Sequence, residues 1–256
     1  MSRRHMLALF ALPLVVYAFV CGWMYFKQRD LIYFPQFTHG EVPTDLVLER
    51  DGVTLRGWVV NPGQPDPILY FGGNAERVED NRDDFAAWFP GRSVYLLAYR
   101  GYGASDGEPS EAALTGDALA LYDLAHSRHR GQRISLMGRS LGGGVASHVA
   151  AHRPVDRLVL VTPFDSLAAV AQGHYPWLPV GWLMEDRYDS AALLAAYREP
   201  VLVLRAGRDA VVPAARTDAL VEALPAPPEI VEFPQADHND IHLQPGYRHA
   251  LSDFLR

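Results

Sequence analysis

Arg133-Ile134-Ser135-Leu136-Met137-Gly138-Arg139-Ser140-Leu141-Gly142-Gly143-Gly144-Val145-Ala146 runs from an apolar, strand-like segment through a G-x-S-x-G motif into a segment rich in Ala and Gly with helical character. A serine at the apex of a strand-to-helix turn is forced into a strained backbone conformation, and the positions two before and two after it are crowded, so both favour glycine. Ser140 has glycine at both positions and is a candidate nucleophile. The same pattern occurs at Gly103-Ala104-Ser105-Asp106-Gly107. There the serine lies well past the preceding apolar run, and Glu108-Pro109 follows where a helix would have to begin, so Ser105 reads as a loop residue.

Working outward, residues 45–50 and 53–60 alternate apolar and polar around Asp51-Gly52, the signal for a two-residue hairpin. Short, mostly apolar runs at 67–71, 93–99, 133–137, 157–161, 200–205 and 229–233 read as buried strands. Helical stretches at 75–89, 111–127, 141–152, 187–197, 214–224 and 247–255 lie between or after them. Strands alternating with helices imply parallel βαβ units, so the expected fold is α/β: a mostly parallel eight-stranded sheet with helices on its faces, a hairpin in front and a short lid. With 256 residues, 49% hydrophobic and 21% charged, the chain can bury one large core. A net charge of −7 without a long Lys/Arg cluster argues against a nucleic-acid partner, and the single Cys21 excludes an intrachain disulfide.

Residues 6–26 carry no charge, with Arg3-Arg4 before them and Lys27 and Arg29 after. A helix of that length spans about 30 Å, enough for a bilayer core, so residues 1–30 are expected to form a single-pass N-terminal anchor and residues 31–256 the catalytic domain. Trp23, Tyr25, Phe26, Tyr33 and Phe34 suit an interfacial belt. A signal peptide is the rival, but the run is long for one and no clear small-x-small cleavage site follows. The basic residues balance across the span. The α-amino group tips the count towards a cytoplasmic N-terminus and a catalytic domain on the extracytoplasmic side.

In such sheets the carboxyl ends of strands carry function. After the 200–205 run comes Ala206-Gly207-Arg208-Asp209, and after the last strand Ala236-Asp237-His238-Asn239. Ser140, Asp209 and His238 therefore follow one another in the chain order Ser, acid, His. Asp165, at the end of an earlier strand, is the competing acid, and His242 and His249 are the competing bases. His238 and His242 have H-x-x-x-H spacing, but Asn239 stands where a metalloprotease needs Glu. Phe71-Gly72-Gly73 lacks the lysine and hydroxyl residue of a phosphate loop. Neither a metal nor a cofactor is expected.

The chain resembles the α/β-hydrolase superfamily of serine hydrolases over about residues 30–256. The likeness rests on Phe71-Gly72-Gly73-Asn74-Ala75, the run Tyr99 to Gly107, the Ser140 turn, Gly207-Arg208-Asp209 and Asp237-His238. Within the superfamily it is similar to a membrane-anchored branch with a short N-terminal anchor and a stretch like Leu31-Ile32-Tyr33-Phe34-Pro35. Some eukaryotic relatives in that branch are protein S-acyl thioesterases, and others are described as serine aminopeptidases. Many relatives have His-Gly-Asn where this chain has Gly72-Gly73-Asn74.

The resemblance implies a nucleophile at Ser140, a base at His238 oriented by Asp209, and an oxyanion hole from the backbone N–H groups of Asn74 and Leu141. The run from Arg100 to Gly107 is expected to brace the site without direct chemistry. The short lid, residues 165–186, contains the bulky Tyr175, Trp177, Leu178, Trp182, Leu183 and Met184. Of these, Trp177, Trp182 and Met184 are expected to meet an acyl substrate, although such side chains also suit packing of the lid onto the sheet. The expected activity is hydrolysis of carboxylic esters or thioesters on lipid-like or lipidated substrates at a membrane. A serine peptidase and a catalytically silent binding scaffold are the alternatives.

Overall fold

The computed structural model describes residues 3–40 and 43–256, with the backbone alone for 3–11. Its first helix, α1 (Arg3–Ile32), is continuous through Pro13 and runs past the expected boundary at residue 30. Among the described residues no helix is long and apolar enough to cross a membrane. The predicted span 6–26 begins at positions 6–11, whose side chains lie outside the described residues. Leu12, Leu14, Val15, Val16 and Phe19 of α1 are exposed.

The expected hairpin forms from β1 (Leu46–Arg50) and β2 (Val53–Val60), in antiparallel register with Arg50 opposite Val53. Asp51 and Gly52 both take positive φ, 53° and 73°, which matches the twist of a two-residue turn. The next elements are β3 (Ile68–Phe71), α2 (Arg82–Trp88), β4 (Val94–Leu97), α3 (Glu111–Arg128), β5 (Ser135–Arg139), α4 (Leu141–His152) and β6 (Arg157–Val161). After these come α5 (Leu167–His174), α6 (Val180–Leu183), α7 (Ser190–Leu194), β7 (Val201–Ala206), α8 (Ala214–Ala223), β8 (Glu229–Phe233) and α9 (Tyr247–Phe254). The eight strands form one sheet in the order β1-β2-β4-β3-β5-β6-β7-β8. β2 pairs antiparallel to its neighbours, and every other pairing is parallel.

The central strands are buried on both faces, which is why they read as continuous apolar runs. Leu69, Phe71, Leu136, Leu158, Leu160 and Val203 pack with residues of α3, α4 and α8. Their alternates Ile68, Tyr70, Met137, Val159, Val161, Leu202 and Leu204 pack with Phe85 and Phe89 at α2 and with Tyr247, Leu251 and Phe254 of α9. Burying each such side chain contributes about 2 kcal/mol.

Two predicted helices are shorter than their periodicity implied. Over 75–89, Glu76 accepts the Gly73 N–H and Asn81 donates to the Val78 carbonyl, leaving a 3-10 turn at Val78–Asn81 before α2. Over 187–197, Tyr188 holds φ at 42° and Asp189 caps at the Ala192 N–H, so α7 starts only at Ser190. The lid, expected only as a short insertion, contains α5, capped by Ser166 at the Ala169 N–H, and the one-turn α6 beyond Pro176 and Pro179.

Candidate active site

The chain passes from β3 outward to β4 and returns to add β5 on the other side of β3. The carboxyl ends of β3 and β5 therefore border the crevice where an open α/β sheet reverses its winding direction. β5 delivers Ser140 there at φ 51°, ψ −116°. Such a conformation costs on the order of 1–3 kcal/mol in a non-glycine residue. The Ser140 N–H donates to the Val161 carbonyl at 2.9 Å. A Cβ on Gly138 would run into the Gly142 carbonyl, and one on Gly142 into the Phe71 carbonyl of β3. Both glycines of the motif are thus required by close backbone approach.

β7 and β8 supply the partners of Ser140. The turn after β7 is pinned by the Gly207 N–H on the Phe233 carbonyl (2.9 Å) and the Arg208 N–H on the Ala236 carbonyl (2.8 Å). Asp209 Oδ1 accepts the Val211 and Val212 N–H groups at 2.9 and 2.7 Å, which turns Oδ2 towards His238. His238 sits in a turn closed by Asp237 Oδ1, which accepts from the Asn239 and Asp240 N–H groups. His238 Nδ1 lies 2.7 Å from Asp209 Oδ2, and Nε2 lies 2.9 Å from Ser140 Oγ. A carboxylate only accepts, so Nδ1 carries the proton and the Nε2 lone pair faces the serine hydroxyl. The His238 and Asp209 side chains are both buried.

The competing residues lie elsewhere. Asp165 pairs with Arg216 at 3.1 Å. His242 and His249 are exposed, and neither lines the cavity beside Ser140. Ser105 is buried and committed to backbone. It donates to the Ala98 carbonyl (2.8 Å) and accepts the Arg56 N–H (2.9 Å).

Asn74 and Leu141 line the same cavity as Ser140 and His238. Among the described residues, neither backbone N–H donates to a protein acceptor. The Asn74 loop is held on several sides. Its carbonyl accepts from Tyr102 Oη (2.6 Å) and the Phe34 N–H (3.2 Å), and its side-chain amide donates to the Ile32 carbonyl (3.1 Å). Tyr102 belongs to the 100–107 run, so that loop does brace the site.

A carboxylate that the sequence reading did not single out organises the crevice. Glu76 accepts from Tyr70 Oη (2.5 Å), the Gly73 N–H (2.8 Å), Asn81 Nδ2 (2.9 Å) and Arg139 Nη1 (3.3 Å). Arg139 also donates to the His238 and Asn239 carbonyls at 3.5 and 3.3 Å. Glu76 and Arg139 thus link the Asn74 loop, the Ser140 turn and the His238 loop. Burial, with Glu76 beside it, pushes the Tyr70 phenol well above its ordinary pKa, so it stays protonated and donates. The one signal for this pair in the sequence is position: one charge lies two residues after Asn74 and the other immediately before Ser140.

The cavity beside Ser140 has a volume of about 440 Å³. Phe164, Leu167, Val170, Leu178, Val180, Leu183 and Met184 form much of its wall. Met184 lines it, whereas Trp177 and Trp182 do not and are 54% and 91% exposed. α6 turns Val180 and Leu183, three positions apart, towards the cavity, which directs the intervening Trp182 to solvent. A further part of the wall comes from α1 and the segment after it: Met24, Tyr25, Gln28, Leu31, Ile32 and Phe34. Inside an apolar helix this stripe carries no local mark: the sequence places Met24, Tyr25 and Gln28 in the expected anchor and Phe34 in its interfacial belt, and marks Leu31 and Ile32 only as part of the stretch shared with the resembled branch.

Residues 71–184 match a family described as serine aminopeptidase, S33. An uncharacterized protein of Mycobacterium tuberculosis is 38% identical over 262 residues, covering 96% of this chain and 92% of the relative. Protein bem46 of Schizosaccharomyces pombe is 28% identical, covering 94% of this chain and 90% of its own. Among solved structures, an esterase of Pyrococcus furiosus superposes with a TM-score of 0.66 at 19% identity, over 84% of this chain and 89% of that one, a likeness of fold. With this sheet order, this strand-to-helix turn and these relatives, the chain belongs to the α/β-hydrolase superfamily, its residues 71–184 matching the serine-aminopeptidase family.

Proposed function

We propose that the protein is a serine hydrolase that cleaves carboxylic ester or thioester bonds of acyl substrates. The observation that carries this reading is the hydrogen-bonded chain from Asp209 through His238 to Ser140 at the edge of an apolar cavity. His238 Nε2 takes the Ser140 proton as Oγ attacks the carbonyl carbon, and Asp209 holds the tautomer and stabilises the imidazolium. The oxyanion is received by the Asn74 and Leu141 N–H groups, the latter at the N-terminus of α4, each worth on the order of 3 kcal/mol. Collapse breaks the bond to the leaving alcohol or thiol, to which His238 returns the proton. Water, deprotonated by His238, then releases the acid from Ser140.

An ester or thioester is favoured over a peptide with a free amino terminus because, among the described residues, the cavity lining includes no Asp or Glu to receive an ammonium group. The anchor belongs to the same proposal. The uncharged run 6–26 would hold the protein at a membrane as a single-pass protein, with the catalytic domain on the extracytoplasmic side.

The test is covalent labelling of the full-length chain with a fluorophosphonate probe. Wild type and Ser105→Ala are expected to label, and Ser140→Ala is not. Absence of labelling in folded wild type would leave the catalytically silent scaffold as the better reading.

A further inference from the structure

The stripe of α1 that faces the cavity falls at positions 24, 28, 31 and 32, one face of the helix, while Phe26 on the other side is 83% exposed. Met24, like Met184, packs against the lid cluster of Ala168, Leu178 and Val180. Polar contacts fix this helix against the lid. Gln28 accepts the Glu185 N–H at 2.7 Å and donates to the Leu183 carbonyl at 3.3 Å. Arg29 pairs with Asp186 at 3.2 Å, and buried Tyr33 donates to the same carboxylate at 3.0 Å. A helix needed only for tethering would gain nothing from presenting a thioether, an amide and two aliphatic side chains to the chamber that holds Ser140.

We propose that α1 is part of the substrate site: Met24, Leu31 and Ile32 form the wall along which the substrate's acyl chain lies, and the bulk at these positions sets the preferred chain length. This rests on reading the cavity as the acyl site of the hydrolase. The lid supplies the opposite wall, so the acyl chain runs between α1 and the lid. Each methylene buried there contributes about fourfold in affinity or in kcat/KM.

The test uses the full-length chain in phospholipid nanodiscs. Hydrolysis of p-nitrophenyl acetate, butyrate, laurate and palmitate is compared for wild type, Met24→Trp, Leu31→Trp and the outward-facing control Phe26→Leu. Fluorophosphonate labelling verifies an assembled Ser140 site in each. In parallel, binding of a fluorescent long-chain fatty acid is measured in the Ser140→Ala background. Filling the wall is expected to lower the palmitate-to-butyrate ratio of kcat/KM by about tenfold or more, the equivalent of two methylenes, and to weaken the fatty acid likewise, with the control matching wild type. An unchanged ratio and unchanged fatty-acid affinity in both tryptophan variants would overturn the proposal. Fatty-acid binding that depends on Met24 and Leu31, without hydrolysis or labelling in wild type, would uphold the acyl wall and remove the hydrolase reading alone.

Discussion

Asp209→Asn separates the geometry of the site from its chemistry. In the native turn Oδ1 accepts two backbone N–H groups, from Val211 and Val212, while Oδ2 faces His238 Nδ1. An amide at this position must keep its oxygen on those two donors, because turning the NH2 towards them would set donor against donor. The NH2 then points at His238 Nδ1, which has to accept. The imidazole proton moves to Nε2 and faces Ser140 Oγ, so the ring no longer has a lone pair for the serine proton. Loss of about 10⁴ in kcat/KM is expected, about 5 kcal/mol of transition-state stabilisation. The turn itself survives, so unfolding free energy should change by only about 1 kcal/mol. Asp209→Ala, by contrast, gives up both turn bonds and should lose a further 1–2 kcal/mol or so of stability. The assay pairs p-nitrophenyl butyrate hydrolysis with a urea unfolding curve. If Asp209→Asn kept more than about a tenth of wild-type activity while unfolding normally, the tautomer argument would be refuted. A larger loss in Asp165→Asn would shift the acid's role to that residue.

Glu76→Ala leaves the half-buried guanidinium of Arg139 without its carboxylate and frees the Gly73 N–H. A stability loss of about 3–5 kcal/mol in chemical denaturation is expected, with recovery in the double variant Glu76→Ala/Arg139→Met; no recovery would argue that the pair matters for packing alone. Gly142→Ala forces a methyl into the Phe71 carbonyl, so fluorophosphonate labelling should vanish and thermal stability fall; a variant that still labels would contradict the close approach of α4 to β3. The full-length chain is expected to stay with membranes through carbonate extraction, whereas a shorter soluble form would indicate cleavage of the N-terminal segment.

Much of the fold was legible because it follows from local rules. The Asp51-Gly52 turn, the strands buried on both faces, and the long α3 and α4 each carry their period or turn residues within a few positions. The readings that ran long, at 75–89 and 187–197, failed where side chains of Asn81 and Asp189 took backbone hydrogen bonds that a longer helix would have used. The outward turn of Trp182 was hidden for another reason. Lid sequence shows bulk, but only the phase of α6 determines which bulky residue faces inward.

The sequence by itself determined the strands, the strained turn at Ser140, and the order in which Ser140, Asp209 and His238 appear. These depend on sterics and periodicity within single elements. Tertiary structure alone decided that β3 lies beside β5, so that the Asn74 loop meets the Ser140 turn. It also decided that Glu76 pairs with Arg139, and that α1 closes one wall of the cavity against a lid about 150 residues away. Such contacts are chosen by the joint packing of distant surfaces, and neither partner carries a local mark of the other.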